Sequence, residues 1–211
     1  MTKGKYIVFE GINGCGKSTQ VDLFTNRLSQ NLPTYKTAEP TNGYVGKLLK
    51  NILRGHVPMC KHALPMLFTA DTLDHHTKED GLLQKLEEGT NVISDRSFVS
   101  TLAYQKDIIR KHFDVIQIAS IHMLVPDILI YLAVPPGICH KRLAQRTPKH
   151  KLAPQNTPEL KIIHKNYLSI IKKHQGIICH KYLIVEPTKN ETAAETHKKL
   201  YQRVTQLLWP N

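Results

Sequence analysis

A short stretch near the start of the chain combines residue types and spacing that suit phosphate chemistry. Gly11 and Gly16 bracket four residues, and Lys17 and Ser18 follow directly. This is the phosphate-loop pattern, with Gly14 a further glycine inside it. Glycines let successive backbone N–H groups converge on phosphate oxygens without side-chain obstruction. The loop Gly11, Ile12, Asn13, Gly14, Cys15, Gly16, Lys17, Ser18, Thr19 is therefore the candidate cradle for a nucleoside triphosphate. Lys17 can reach the outer phosphates, and the Ser18 hydroxyl is a candidate ligand for Mg²⁺. The competing reading is an ordinary Gly-rich turn before a helix. A strand before the loop and a helix after it favour the motif.

A second pair with chemical potential is Asp95-Arg96. Asp95 can hold Mg²⁺ or its waters, while Arg96 can clamp an acceptor phosphate through a bidentate contact. A cation just beyond a carboxylate suits a site that holds two phosphate-bearing molecules; a surface ion pair at a strand end is the alternative. An Asn-Lys-x-Asp guanine reader and an Asp-x-x-Gly switch are both missing, which argues against a GTPase. No apolar strand ends in Asp-Glu, as a motor or transporter ATPase would require. Further along, Arg142 and Arg146 lie four apart and share one helical face. They lead into Lys149, His150 and Lys151, the densest basic stretch.

These groups converge only if the intervening elements bring them together. Residues 6–9 form a short apolar, β-branched run that predicts a buried strand, and Val21, Leu23, Phe24 and Leu28 follow at helical spacing. Strands are also expected at 35–38, 91–94, 128–134 and 182–185. Helices are expected at 45–53, at 63–86 with a break, and at 108–123. Three more are expected at 135–146, 159–174 and 192–208. The βα alternation predicts a five-stranded parallel sheet flanked by helices, in a single domain. In such sheets ligands gather at the carboxyl ends of the strands. The phosphate loop, Glu39 and Asp95-Arg96 all fall there.

Composition narrows the function classes. Among 211 residues the net charge is +12, which fits either nucleic-acid attachment or a site crowded with anionic ligands. The lysines are scattered and lack interleaved aromatics, so no nucleic-acid partner is expected. Four cysteines, at 15, 60, 139 and 179, form no close pair, which excludes a disulfide framework and a zinc knuckle. Cys15 stands at a helix start, where a thiol can be activated; the simpler reading is a small residue packed in the loop. No apolar run reaches membrane-spanning length and no signal peptide is evident, so a cytoplasmic location without membrane attachment is expected.

The order and spacing of residues 9–20, Glu39-Pro40, residues 67–71, 95–105 and 131–136 resemble the thymidylate kinases of the nucleoside-monophosphate kinase group. The resemblance runs over essentially the whole chain. It implies the fold of that group, ATP and Mg²⁺ as cofactors, a pyrimidine deoxynucleoside monophosphate as acceptor, and a homodimer formed through 108–123. It also implies a lid over about 142–157, with Arg142 or Arg146 steadying the transferring phosphoryl group beside Lys17 and Arg96. Phe68 resembles the ring that stacks on thymine, although spacing alone equally allows a core role. Glu39, Thr72, Ser100, Thr101, Tyr104 and Gln105 correspond to the walls of the acceptor pocket, with Tyr167 in support.

Four positions depart from the family pattern. Asn13 replaces an acid, Ala38 an arginine, Thr72 an arginine that contacts the base, and Ser97 an aromatic. They leave other acceptors in view, namely dUMP or another pyrimidine deoxynucleotide. A deoxynucleoside kinase would use Glu39 as its base. A nucleotide-binding regulator would bind ATP without turnover.

Overall fold

The computed structural model describes residues 2–109, 121–145, 156–188 and 191–210. Its elements run β1 (Tyr6–Glu10), α1 (Lys17–Leu28), β2 (Thr34–Ala38), α2 (Tyr44–Leu53), α3 (Leu64–Thr77), α4 (Leu82–Glu87) and β3 (Asn91–Asp95). They continue with α5 (Phe98–Tyr104), α6 (Lys106–Ile109), β4 (Ile128–Leu132), α7 (Pro136–Ala144), α8 (Thr157–Lys173), β5 (Lys181–Val185) and α9 (Ala193–Leu208). The five strands are all parallel, in the order β2-β3-β1-β4-β5. The α/β sheet expected from the alternation is thus the observed one.

The sequence of each strand explains its place. Every residue of β1 and β4 is buried, as continuous apolar runs are in the middle of a parallel sheet. β2 stands at the edge and exposes Tyr35 and Lys36. Alternate side chains of β1 serve opposite faces. Ile7 and Phe9 pack with Val21, Phe24 and Leu28 of α1 and with Leu200 and Val204 of α9. Tyr6 and Val8 pack with Leu82 and Leu86 of α4. Helix starts carry their own local signals. Asn156 accepts the Glu159 N–H at 2.9 Å, and Thr192 with Glu195 forms a reciprocal capping box at the head of α9.

One expectation is met and another needs adjusting. The break within 63–86 is a real turn, where Asp80 takes a left-handed φ of 56° before Gly81 opens α4. Residues 121–123, expected to close a helix, form a turn and bend instead, with Ile121 well exposed. The rest of the expected dimer segment, 110–120, lies outside the described residues, as do Arg146, Lys149, His150, Lys151 and most of the lid. Among the described residues no helix is long and apolar enough to cross a membrane.

Candidate active site

The parallel register sets three chemical groups side by side. Phe9 of β1 and Ala38 of β2 both pair with Asp95 of β3, so Glu10, Glu39 and Arg96 each sit one step beyond the same row. The loop after β1 must then turn sharply onto α1. Gly14 and Gly16 do so at φ of 82° and 90°, backbone that side chains rarely adopt. Gly14 is also required by packing: a Cβ there would come within 2.6 Å of the Cys139 carbonyl of α7. This close approach seats α7 on the loop. It lets Arg142 lean over it, with Nη1 3.5 Å from the carbonyl oxygens of Gly14 and Cys15.

At the head of α1, Gly16 offers no side chain to cap the helix, and the first turn holds no acid. The N–H groups there are left to an anion, with the positive end of the helix dipole behind them. Lys17 Nζ lies 2.7 Å from Asp95 Oδ1, and Ser18 Oγ donates to Asp95 Oδ2 at 2.7 Å. Burial pushes the Asp95 carboxyl up. Lys17 above all, then Arg96 and the Ser18 hydroxyl, outweigh that and hold it below the usual aspartate range. Ser18 and Thr19 are exposed. Ile12 and Cys15 are buried, and burial pushes the Cys15 thiol up, as suits a small residue packed in the loop.

Arg96 is the densest node. Its φ of 82° is left-handed, an uncommon posture for arginine that costs on the order of 1–3 kcal/mol and must be held by neighbours. The Ser94 hydroxyl donates to its carbonyl at 2.6 Å, and its own N–H donates to Phe9 at 2.9 Å. Nη2 donates to Asn13 Oδ1 at 2.7 Å and to Tyr104 Oη at 3.3 Å. Nη1 donates to Ser100 Oγ at 2.9 Å and, at 3.3 Å each, to the Gly11 carbonyl and Tyr167 Oη. The guanidinium also lies over the Tyr104 ring, 5.1 Å from its centroid. Arg96 and the Lys17 loop therefore share one site.

Glu39 is arranged differently. It is buried and accepts from Thr72 Oγ1 at 2.8 Å, with His75 Nδ1 at 3.2 Å and His76 Nε2 at 3.5 Å. The hydroxyl of Thr72 is thereby turned into the protein, the residue being only 2% exposed. The Glu39–His75–His76 trio has the makings of a metal site by distance. Its tautomer argues otherwise: His76 Nδ1 accepts the Leu124 N–H at 3.0 Å, which places the ring proton on Nε2, facing Glu39. The cluster is a carboxylate held by N–H and O–H donors.

Burial alone would raise the Glu39 pKa, but the His75 and His76 hydrogen bonds lower it from 4.5 to about 2. A depressed folded-state pKa gives stability that is present above the unfolded value and lost as pH falls through the folded one. The drop corresponds to roughly 3 kcal/mol. Urea unfolding at pH 5, 4 and 3 should show wild type losing stability over that window. Glu39→Gln should start less stable at pH 5 and lose less, so that the gap narrows; parallel losses would refute the assignment.

Of the other expected residues, Phe68 is half-buried on α3 and belongs to neither apolar core cluster. Thr101 is buried on α5, and Gln105 ends that helix. Residues the sequence reading passed over are Glu10, Asp71, His75 and His76, all buried. Asp71 ties α3 to the β2 exit by accepting from Thr41 N at 2.8 Å and Thr41 Oγ1 at 2.6 Å. An acid ending an apolar strand, as Glu10 does, was the available signal, since a buried charge requires partners.

The family model for thymidylate kinase matches residues 9–194, which take in the phosphate loop, Glu39, Asp95-Arg96 and Tyr167. The chain belongs to the thymidylate kinase family. A probable thymidylate kinase of Methanococcus aeolicus is 36% identical over 95% of both chains. One from Methanocaldococcus jannaschii is 30% identical, again over 95% of both. A thymidylate kinase of Leptospira borgpetersenii is 33% identical over 80% of this chain and 82% of its own. Membership in this kinase family accounts for a parallel sheet whose carboxyl ends carry both a phosphate loop and a half-buried arginine.

Proposed function

We propose that this chain transfers the γ-phosphoryl group of ATP to the 5′-phosphate of thymidylate. The observation that carries the reading is Arg96, a half-buried cation that reaches Gly11 and Asn13 of the phosphate loop from the residue next to Asp95. The loop with Lys17 takes the donor phosphates, and Arg96 takes the acceptor phosphate by exchanging its Nη2 contact with Asn13 for phosphate oxygens. Arg142 closes over the donor from α7. Phe68, Ser100, Thr101, Tyr104 and Gln105 form the acceptor walls, with Tyr167 behind them. The Ser18 hydroxyl and an Asp95 oxygen, 2.7 Å apart, are oxygen ligands of the type Mg²⁺ takes. Bound there, Mg²⁺ would neutralise charge on the triphosphate.

The reaction needs no general base, because a phosphate's second pKa is about 6 and its oxygen is already ionised near neutrality. Alignment and charge neutralisation supply the catalysis. This also disfavours a nucleoside acceptor. A sugar hydroxyl would require a base, and Glu39, with its pKa near 2 and its oxygens occupied, is a poor one.

The test is a panel of dTMP, dUMP and thymidine with Mg-ATP, scored for phosphorylated product. Turnover of dTMP and none of thymidine is expected. dTMP and dUMP differ by a single methyl group, so the preference for dTMP is expected to be about 10–200-fold. Product from thymidine but not dTMP would overturn the reading.

A further inference from the structure

We infer that Glu10 is a positioning residue that aims Arg96 at the acceptor phosphate through two hydroxyl bridges, Ser100 and Tyr167. This rests on the proposed role of Arg96 and deepens it. Glu10 ends β1 and is completely buried. Its Oε1 accepts from Ser97 N and Ser97 Oγ, both at 2.9 Å. Its Oε2 accepts from Ser100 Oγ at 2.7 Å and from Tyr167 Oη at 2.9 Å. The same two hydroxyl oxygens accept from Arg96 Nη1, at 2.9 and 3.3 Å.

The direction of these bonds is the point. The Ser100 and Tyr167 oxygens also lie 2.8 Å from each other, where either can donate. A hydroxyl has one proton and a carboxylate can only accept, so Glu10, as the ionised acid, draws both protons toward itself at 2.7 and 2.9 Å. Their lone pairs are left facing Arg96, which can only donate. The bridges therefore hold one edge of the guanidinium and leave the Nη2 edge turned toward Asn13 and the phosphate loop. The Oε1 bonds fix the other requirement. They pin Ser97 immediately after Arg96, whose left-handed backbone needs an external hold. The negative charge stays separated from Arg96 by a layer of hydroxyls, so Glu10 orients the cation without occupying its phosphate-binding edge.

The experiment is a double-mutant cycle on dTMP kinetics, using Glu10→Gln, Arg96→Ala and the double variant, with melting temperatures recorded throughout. A glutamine amide brings its own N–H toward these donors and disrupts the bridges. Glu10→Gln is expected to raise KM for dTMP about tenfold or more and leave KM for ATP nearly unchanged, as loss of one charge-assisted contact would. In the Arg96→Ala background the same change should add little. Ser100→Ala and Tyr167→Phe, which keep the buried acid, should each reproduce part of the dTMP effect; they also serve if Glu10→Gln fails to fold. An equal cost of Glu10→Gln in both backgrounds, equal rises in both KM values, or Ser100→Ala and Tyr167→Phe leaving the KM for dTMP at wild type, would overturn the inference. An Arg96→Ala variant with normal dTMP kinetics would instead overturn the underlying function.

Discussion

Replacing Arg96 with alanine is expected to lower kcat/KM for the acceptor monophosphate about a thousandfold, while ATP binding by the isolated loop stays close to wild type. Removing one preorganised donor from a reacting oxygen costs about 10²–10³ in rate, and an arginine on a transferring phosphoryl group is worth about 10³–10⁵. Arg96 presents two nitrogen donors at one place, which sets the expectation at the boundary of those ranges. A loss of activity could also come from a loosened fold, because alanine leaves Glu10 buried without its main counter-charge. Arg96→Gly separates the two causes. It relieves the left-handed backbone at φ 82° while still deleting the guanidinium. Activity should fall as far as in the alanine variant, and thermal stability should fall less. Steady-state kinetics against each substrate, with ATP affinity from calorimetry, is the measurement. Unchanged acceptor kinetics in either variant would remove Arg96 from the site.

Much of this arrangement is legible in the chain because its signals are local. Gly11 to Ser18 state their chemistry by type and spacing, and the apolar runs of β1 and β4 state the sheet. What stays illegible depends on contacts between distant residues. Thr72 reads as a wall of the acceptor pocket, yet its hydroxyl meets Glu39, 33 residues away, inside the protein. Tyr167 reads as a distant support, yet it lies 2.9 Å from Glu10 across 157 residues of sequence. Spacing rules reach across one or two helical turns, and no such rule spans those separations. Asn13 is a subtler case. Where an acid would neutralise Arg96, the amide accepts a hydrogen bond at 2.7 Å and leaves the charge intact for a phosphate. A departure that looks like a missing group in sequence becomes, in the structure, a neutral partner for the cation.

Lys17→Met should be as damaging as the loss of Arg96, but on the other substrate. Methionine keeps most of the apolar stem and deletes the ammonium that lies 2.7 Å from Asp95. Both side chains of that pair are largely buried, at 8% and 17% exposure, so the surviving carboxylate loses its main counter-charge. Breaking a buried pair by removing one partner costs about 3–5 kcal/mol, and the partial exposure of Asp95 places this case at the low end. The uncovered carboxylate then faces the incoming triphosphate and repels it. ATP affinity and kcat are both expected to fall, with the combined loss about a thousandfold or more, as for an electrostatic clamp on phosphoryl transfer. Lys17→Arg should rescue little, because a planar fork cannot replace a compact point charge within a glycine-lined turn. Adding Asp95→Asn to Lys17→Met removes the unpaired charge, so stability should recover while turnover does not. Recovery of both would mean that the pair serves the fold alone, and the donor phosphates would have to be held elsewhere.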